Sequence, residues 1–153
     1  MFLVKDKVAE RKKRICQFLD TEPPIAVILS AVHFEWTVRR AIIALGNSTN
    51  KEIRKQLERC HGLPMYKAMW CEEAYCTSKN IPKLTEVVNN WEQFKRDFDL
   101  RHKLVHGIES CSKKFASPKV ESILTAADDI LNFCKGKGIS LEKRLPVKRK
   151  RKS

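Results

Sequence analysis

Apolar residues recur at helical spacing over residues 87–105, and this pattern constrains the fold more than any other in the chain. Spacings of three, four and seven residues predict one helix that begins near Leu84 and buries one face. The predicted buried residues are Val87, Trp91, Phe94, Phe98 and Val105. No segment shows the alternation of apolar and polar residues typical of a half-buried strand. We therefore predict an all-α fold, an up-and-down bundle of about five to six helices with short connections.

The buried face forms an apolar stripe along the helix, and polar side chains interrupt this stripe near its C-terminal end. Arg101 occupies the next position on the stripe, His102 borders it, and His106 follows four residues later. At about 100° per residue, Arg101 and His106 lie roughly 140° apart, on opposite borders of the apolar face. A guanidinium near a core must be paired or face a cleft, because an unpaired buried charge is costly. Two interpretations stay open: a salt bridge to Asp97 with the histidines as spacers, or a functional site.

The most apolar segment, residues 25–45, carries a similar interruption. It is predicted to be the central helix of the bundle, and Arg39 breaks its stripe four residues after Glu35. The favoured interpretation is an internal Glu35–Arg39 ion pair. The alternative places Glu35 or Arg39 beside Arg101 and His106, where it would orient a side chain or hold a phosphate.

Local signals predict the remaining helices. A first helix is expected over residues 2–19, with the basic run 11–14 mostly outward. The capping box Thr49-Asn50-Lys51-Glu52 predicts a short third helix. A further helix over about 65–76 is expected to bury its aromatic and Met side chains, Tyr66, Met69 and Trp70. For the last helix, Ser117 is the predicted N-cap and Pro118 the first helical residue.

The chain is strongly basic, with a net charge of +13 and a pI near 9.7. Such a balance indicates a polyanionic partner. Residues 143–153 hold seven positive charges and no acid, so residues 139–153 are predicted to be a disordered basic tail. Five of its residues are candidates for nucleic-acid binding through counterion release, namely Lys148, Arg149, Lys150, Arg151 and Lys152. The same stretch could instead be a nuclear localisation signal or a solubilising tail.

Composition argues against several other classes. The six cysteines include no C-x-x-C pair, so free thiols in a reducing compartment are expected. A zinc site built from Cys60, His61, Cys71 and Cys76 would fit no standard spacing, and no metal is predicted. The chain has no signal-peptide pattern and no membrane-spanning run, so a cytoplasmic protein without membrane contact is expected. It also lacks the P-loop, dinucleotide-binding, zinc-protease and nucleophile-elbow motifs.

The residues Arg101-His102-Lys103-Leu104-Val105-His106 resemble the R-x4-H signature of HEPN domains. HEPN domains are small all-helical domains in which a polar residue often follows the arginine, and His102 fits that position. Gly107 directly after the histidine also resembles family members. The resemblance covers most of residues 1–138, which it implies form a HEPN-like helical domain.

The resemblance implies an endoribonuclease that needs no metal or other cofactor. HEPN nucleases leave 2′,3′-cyclic phosphate and 5′-hydroxyl ends, usually at a cleft between two protomers, so RNA and a second copy of the chain are the implied partners. On this chain Arg101 would stabilise the phosphate, His106 would act on the 2′-hydroxyl, and His102 would orient or assist. The chemistry suits these side chains, because imidazole transfers protons near neutral pH and guanidinium is a fixed fork of donors for phosphate oxygens.

Family members of this kind commonly serve as toxins in toxin–antitoxin or phage-defence systems. A nucleotidyltransferase antitoxin is often encoded beside them, so such a protein is a further implied partner. Two alternatives stay open. One is a non-catalytic HEPN module that binds RNA or a nucleotide. The other is a helical interaction or scaffold protein, whose core would tolerate Arg101→Leu.

Overall fold

The computed structural model describes residues 7–107 and 110–149, and all the regular structure within them is helical. The seven α-helices are α1 Val8–Thr21, α2 Pro23–Leu45, α3 Asn50–Leu57, α4 Leu63–Trp70, α5 Leu84–Val87, α6 Trp91–Val105 and α7 Lys113–Gly136. A π-helical turn, Cys71–Tyr75, directly continues α4. The all-α prediction is confirmed. In this part of the chain, no helix combines the length and the apolar character needed to cross a membrane.

The described residues divide into two compact units. The first unit lies within residues 1–35 and 90–128, and the second within residues 36–89 and 129–153. The first therefore contains α1, the beginning of α2, α6 and most of α7. The second contains the end of α2, α3 to α5, the end of α7 and the C-terminal segment.

The core of the first unit is built by apolar side chains from α1, α2, α6 and α7. Its buried cluster consists of Ile15, Ala26, Val27, Leu100, Ala116, Val120 and Leu124. The ring of Phe34 on α2 also packs against Phe94 and Phe98 on α6, with centroid distances of 4.4 and 5.7 Å. Aromatic pairs of this kind add about 0.5–1.5 kcal/mol beyond the area they bury. These contacts hold α6 against α2.

The second unit confirms two predictions made from local signals. Thr49 caps α3, because its hydroxyl accepts the Glu52 N–H at 3.3 Å while the Glu52 carboxylate accepts the Thr49 N–H at 3.1 Å. The aromatic and Met side chains of α4 are buried as expected, with exposed fractions of 0% for Tyr66 and Trp70 and 5% for Met69.

The buried stripe of α6 differs from the prediction at both ends. The helix begins at Trp91, because Val88 has extended backbone angles that separate it from the single turn of α5. At the other end Val105 is 56% exposed. Leu100 and the partly buried Leu104 face the core instead, since they are one turn apart and continue the face that contacts α7.

Two other helices also depart from the predicted pattern. α7 begins at Lys113, four residues before the expected N-cap, because the Ser112 hydroxyl accepts the Phe115 N–H at 3.3 Å. Pro118 therefore lies inside the helix, and the Ser117 hydroxyl donates to the Lys113 carbonyl at 2.8 Å. In α1, Arg11 is only 1% exposed rather than outward.

The C-terminal segment packs within the second unit, against residues of α2 and α3, up to residue 149. Leu141 and Leu145 are buried, and the Asn50 side-chain amide donates to the Pro146 carbonyl at 2.8 Å. Arg40 Nε donates to the Leu141 carbonyl at 2.5 Å. The predicted disorder therefore does not hold for residues 139–149, because apolar burial and side-chain bonds to the backbone order them. Residues 150–153 lie outside the described residues.

Candidate functional site

The last two turns of α6 position the predicted catalytic residues. Arg101 and His102 lie within the helix, and His106 is its C-cap, with its N–H donating to the His102 carbonyl at 3.1 Å. Gly107 follows with φ +66°. A residue with a Cβ is strained in that left-handed region, so glycine suits this helix end. The position of His106 is thus fixed by the local chemistry of the helix terminus.

Arg101 forms an ion pair with Glu35 of α2. The Arg101 Nη1 to Glu35 Oε1 distance is 3.1 Å, and the two side chains are 33% and 17% exposed. The guanidinium carbon also lies 6.0 Å from the centroid of the Phe98 ring. A guanidinium has five N–H donors, and the Glu35 bond uses one of them. Arg101 is therefore paired with Glu35 at the border of the core. Its guanidinium is partly exposed and has further N–H donors.

Asp97 is not the partner of Arg101. Its carboxylate, in a side chain that is 4% exposed, accepts bonds from Gln93 Nε2 at 3.0 Å to each oxygen. Lys119 of α7 brings its ammonium to 3.6 Å from one of these oxygens. The buried charge of Asp97 is thus compensated without Arg101. The interpretation in which Arg101 is placed near the core to form a salt bridge with Asp97 is therefore wrong.

The favoured Glu35–Arg39 pair is wrong. Arg39 lies in the second unit, where its Nε donates to the Tyr66 hydroxyl at 2.8 Å and its Nη2 to the Cys60 carbonyl at 3.0 Å. Its guanidinium carbon is also 5.5 Å from the Tyr66 ring centroid. These tertiary partners prevail over the local i, i+4 spacing. Of the two supporting residues, the structure brings Glu35 to Arg101 and gives Arg39 partners in its own unit.

His102 and His106 form an exposed pair of imidazoles. Their ring centroids are 4.3 Å apart with an interplanar angle of 55°, as expected for side chains four residues apart at a helix end. Both residues are exposed. Two accessible imidazoles at this distance can act on one bound molecule, one by transferring a proton and the other by orienting it.

The basic residues near the C-terminus fall into different environments. The Lys148 ammonium donates to the Ile43 carbonyl at 2.8 Å and to the Gly46 carbonyl, so it caps the C-terminal end of α2. Burial lowers the pKa of Lys148, and the charge of Glu73 acts in the opposite direction. Arg149 is exposed. Lys150, Arg151 and Lys152 lie outside the described residues.

Arg149 lines an open groove that was not predicted from the sequence. The groove has a volume of about 990 Å³ and lies between α3 and residues 147–149. Lys148 and three cations of α3, Lys51, Arg54 and Lys55, also line it, together with Glu52 and Glu58. The i, i+3, i+4 spacing of the three cations on the predicted third helix was the available signal. The groove combines a basic lining with two carboxylates.

No metal site is evident in residues 7–107 and 110–149, where no group of three or more His, Cys, Asp or Glu side chains could hold an ion. Comparisons of the chain with protein-family models, with curated proteins and with solved structures found no match.

Proposed function

We propose that this protein is a metal-independent endoribonuclease of the HEPN type, which leaves 2′,3′-cyclic phosphate and 5′-hydroxyl ends. The observation that carries the proposal is the pair of exposed imidazoles, His102 and His106, 4.3 Å apart on the same helix end as the partly exposed Arg101. The net charge of +13 supports a polyanionic substrate.

The proposed reaction assigns one task to each side chain. His106 takes the proton of the RNA 2′-hydroxyl, whose oxygen then bonds to phosphorus while the bond from phosphorus to the 5′-oxygen breaks. The departing 5′-oxygen takes a proton from solvent and leaves as the 5′-hydroxyl. Arg101 donates hydrogen bonds to the phosphate oxygens as charge builds on them. His102 orients His106 through their ring contact. Glu35 is a positioning residue, because it holds the guanidinium and leaves donors available to the phosphate.

We further propose that the active form is a symmetric homodimer. At about 100° per residue, Arg101 and His106 are roughly 140° apart around the helix axis. The two side chains of one protomer therefore do not easily reach the same phosphate group. A two-fold axis near residue 102 would bring two Arg–His sets into one cleft. The exposed side chain of Val105, which directly precedes His106 in the chain, supplies apolar surface for such a contact. Full activity of a monomer at nanomolar concentration would contradict this arrangement.

By the same resemblance, we propose a role as a cytoplasmic toxin or phage-defence effector controlled by a nucleotidyltransferase-type antitoxin. Expression of such a nuclease without its inhibitor arrests growth, and Arg101→Ala should relieve the arrest at equal protein level. Growth arrest that persists in Arg101→Ala would argue against RNA cleavage as its cause.

A specific observation favours a second candidate, a non-catalytic module that binds RNA or a nucleotide. The carboxylate of Glu35 offsets the charge of Arg101 at 3.1 Å, which weakens its capacity to stabilise a transition state. In this case Arg101 would serve as an anion contact and His106 would be dispensable.

Paired cleavage and binding measurements separate the two candidates. Wild type, Arg101→Ala and His106→Ala are compared with His61→Ala, a control that removes an exposed histidine from another unit. The nuclease proposal predicts that both site variants lose cleavage at least about 100-fold while binding changes little, and that His61→Ala resembles wild type. Salt-dependent binding by a well-folded wild type that cleaves no RNA would select the second candidate.

A further inference from the structure

The π-helical turn that follows α4 brings two cysteines together. Cys71 and Cys76 begin and follow this turn, and their Sγ atoms are 3.4 Å apart. The Cys76 N–H donates to the Cys71 carbonyl at 2.8 Å, the i to i+5 bond that defines a π turn. In an α-helix, residues five apart would lie about 140° apart around the axis. The π turn is therefore what places the thiols side by side.

Neighbouring contacts fix the backbone on which the thiols sit. Glu73, only 4% exposed, binds Ser48 through both oxygens, at 3.0 Å to its N–H and 2.9 Å to its hydroxyl. The Thr77 hydroxyl donates to the Glu73 carbonyl at 2.6 Å. The Asn47 N–H donates to the same carbonyl at 3.0 Å. The turn is thus anchored on both sides, and the two cysteines are held in a fixed relationship.

We propose that Cys71 and Cys76 form a modification site, a dithiol that a low-molecular-weight disulfide oxidises to an intramolecular disulfide. The thiolate of Cys76, the more exposed of the two, attacks one sulfur of the small disulfide and expels one thiolate. Cys71 then attacks the Cys76 sulfur of this mixed disulfide and expels the second. Two electrons pass from the cysteine pair to the small disulfide, which leaves as two thiols.

The surroundings of the six thiols favour this pair over the others. Cys60 and Cys134 are buried, with exposed fractions of 5% and 0%, whereas Cys76 is exposed, so a small disulfide reaches Cys76 and not the two buried thiols. The hydrogen bond between the Cys76 and Cys71 thiols raises the pKa of Cys76, so the exchange should accelerate at alkaline pH. Cys71 and Cys76 need only close from 3.4 Å to the bonded distance of about 2 Å.

The test uses the full chain, equilibrated with mixtures of oxidised and reduced glutathione, then acid-quenched, alkylated and digested with trypsin. Cleavage after Lys67 and Lys79 isolates residues 68–79, a peptide that contains these two cysteines and no others. We expect both cysteines of this peptide to be protected from alkylation at the same time. The peptide should be lighter than its reduced, unalkylated form by two hydrogen atoms. The equilibrium constant for its oxidation should be about tenfold or more higher in the native chain than in urea.

Three controls define the outcome. Cys76→Ser and Cys71→Ser should each give only a mixed disulfide with glutathione, and Cys16→Ser should oxidise as wild type does. Equal oxidation of native and unfolded chains would overturn the proposal, because the folded turn would then contribute nothing. Alkylation of both cysteines under conditions that oxidise the unfolded chain, or separate glutathione adducts on each, would also overturn it.

Discussion

The Arg101 guanidinium and the Glu35 carboxylate meet at 3.1 Å, which links α6 to α2 beside the proposed catalytic histidines. Glu35 is 17% exposed and Arg101 33% exposed. The pair lies between the regime of surface ion pairs, which contribute little, and that of buried pairs, which are costly to break. Both stability and activity should therefore depend on it.

A double-mutant cycle measures the stability part of this dependence. We expect Glu35→Gln and Arg101→Met to be coupled by about 1 kcal/mol in the free energy of unfolding, because solvent screens this pair only partly. The matched control is the Lys113–Asp20 pair, whose side chains are 61% and 65% exposed. Its coupling should stay below about 0.5 kcal/mol in the same urea titrations. Equal coupling in the two cycles would show that burial does not strengthen the Arg101 pair.

Glu35 should also affect cleavage without taking part in it. Glu35→Gln is expected to lower the cleavage rate by about tenfold, since a looser guanidinium contacts the phosphate less well. The loss should be smaller than that in Arg101→Ala, and RNA binding should be kept. A Glu35→Gln enzyme as inactive as Arg101→Ala would instead indicate a direct catalytic role for the carboxylate.

Asp97 anchors α6 to α7 through Gln93 and Lys119. Asp97→Ala should reduce the free energy of unfolding by about 2–3 kcal/mol, because it removes a buried carboxylate and leaves its donors without an acceptor. Asp99→Ala, an exposed position two residues further along the helix, should change it by less than about 0.5 kcal/mol. Similar losses in both variants, measured by urea denaturation, would contradict this account of Asp97.

Stability should depend on pH through His33, which is fully buried in α2. Burial, together with the positive charge of Arg11, lowers the pKa of His33 from 6.5 to about 4, against the opposing effect of Asp128. The unfolded chain binds a proton near pH 6.5 and the folded chain only near pH 4. This contribution to stability is therefore complete above about pH 6.5 and is lost as the pH falls toward 4, a loss of about 3 kcal/mol.

Urea denaturation at several pH values tests the role of His33. Between about pH 6.5 and 5, above the range where most carboxylates titrate, wild type should lose stability with falling pH and His33→Gln should lose much less. The comparison uses the slope of the free energy of unfolding against pH, so a lower absolute stability of the variant does not affect it. Identical slopes would mean that His33 is not the titrating group.

The packed C-terminal segment should contribute to the stability of the second unit. Leu145 is 6% exposed, whereas Val147 two residues later is 54% exposed. We expect Leu145→Ala to cost about 2–3 kcal/mol in the free energy of unfolding and Val147→Ala to cost little. If Leu145→Ala left thermal and urea unfolding unchanged, the segment would not be docked in solution.

Local signals in the sequence predicted some of the features that local chemistry determines, although the cap expected at Ser117 was wrong because α7 begins at Lys113. The Thr49–Glu52 capping box is formed, and the side chains of Tyr66 and Trp70 are buried as their aromatic character indicates. A cap or a helical face depends on residues within one or two turns. Such features can be read without knowing what the helix packs against.

Pairings between distant residues could not be predicted in this way. Helical spacing favoured the pairs Asp97–Arg101 and Glu35–Arg39, but the structure pairs Glu35 with Arg101, which is 66 positions further along the chain. The less favoured alternative had allowed Glu35 to lie beside Arg101. Both local pairs were geometrically allowed, and only the packing of α2 against α6 decided between them. The burial of Leu145 was missed for a similar reason, because the surrounding charges indicated a solvated tail.

End-group analysis of RNA treated with the purified protein in EDTA is the most direct test of the proposed nuclease. The account predicts 2′,3′-cyclic phosphate and 5′-hydroxyl ends from the wild type, and no such products from Arg101→Ala or His106→Ala at equal concentration. Intact RNA after incubation with folded wild type, or products with 3′-hydroxyl ends, would contradict it.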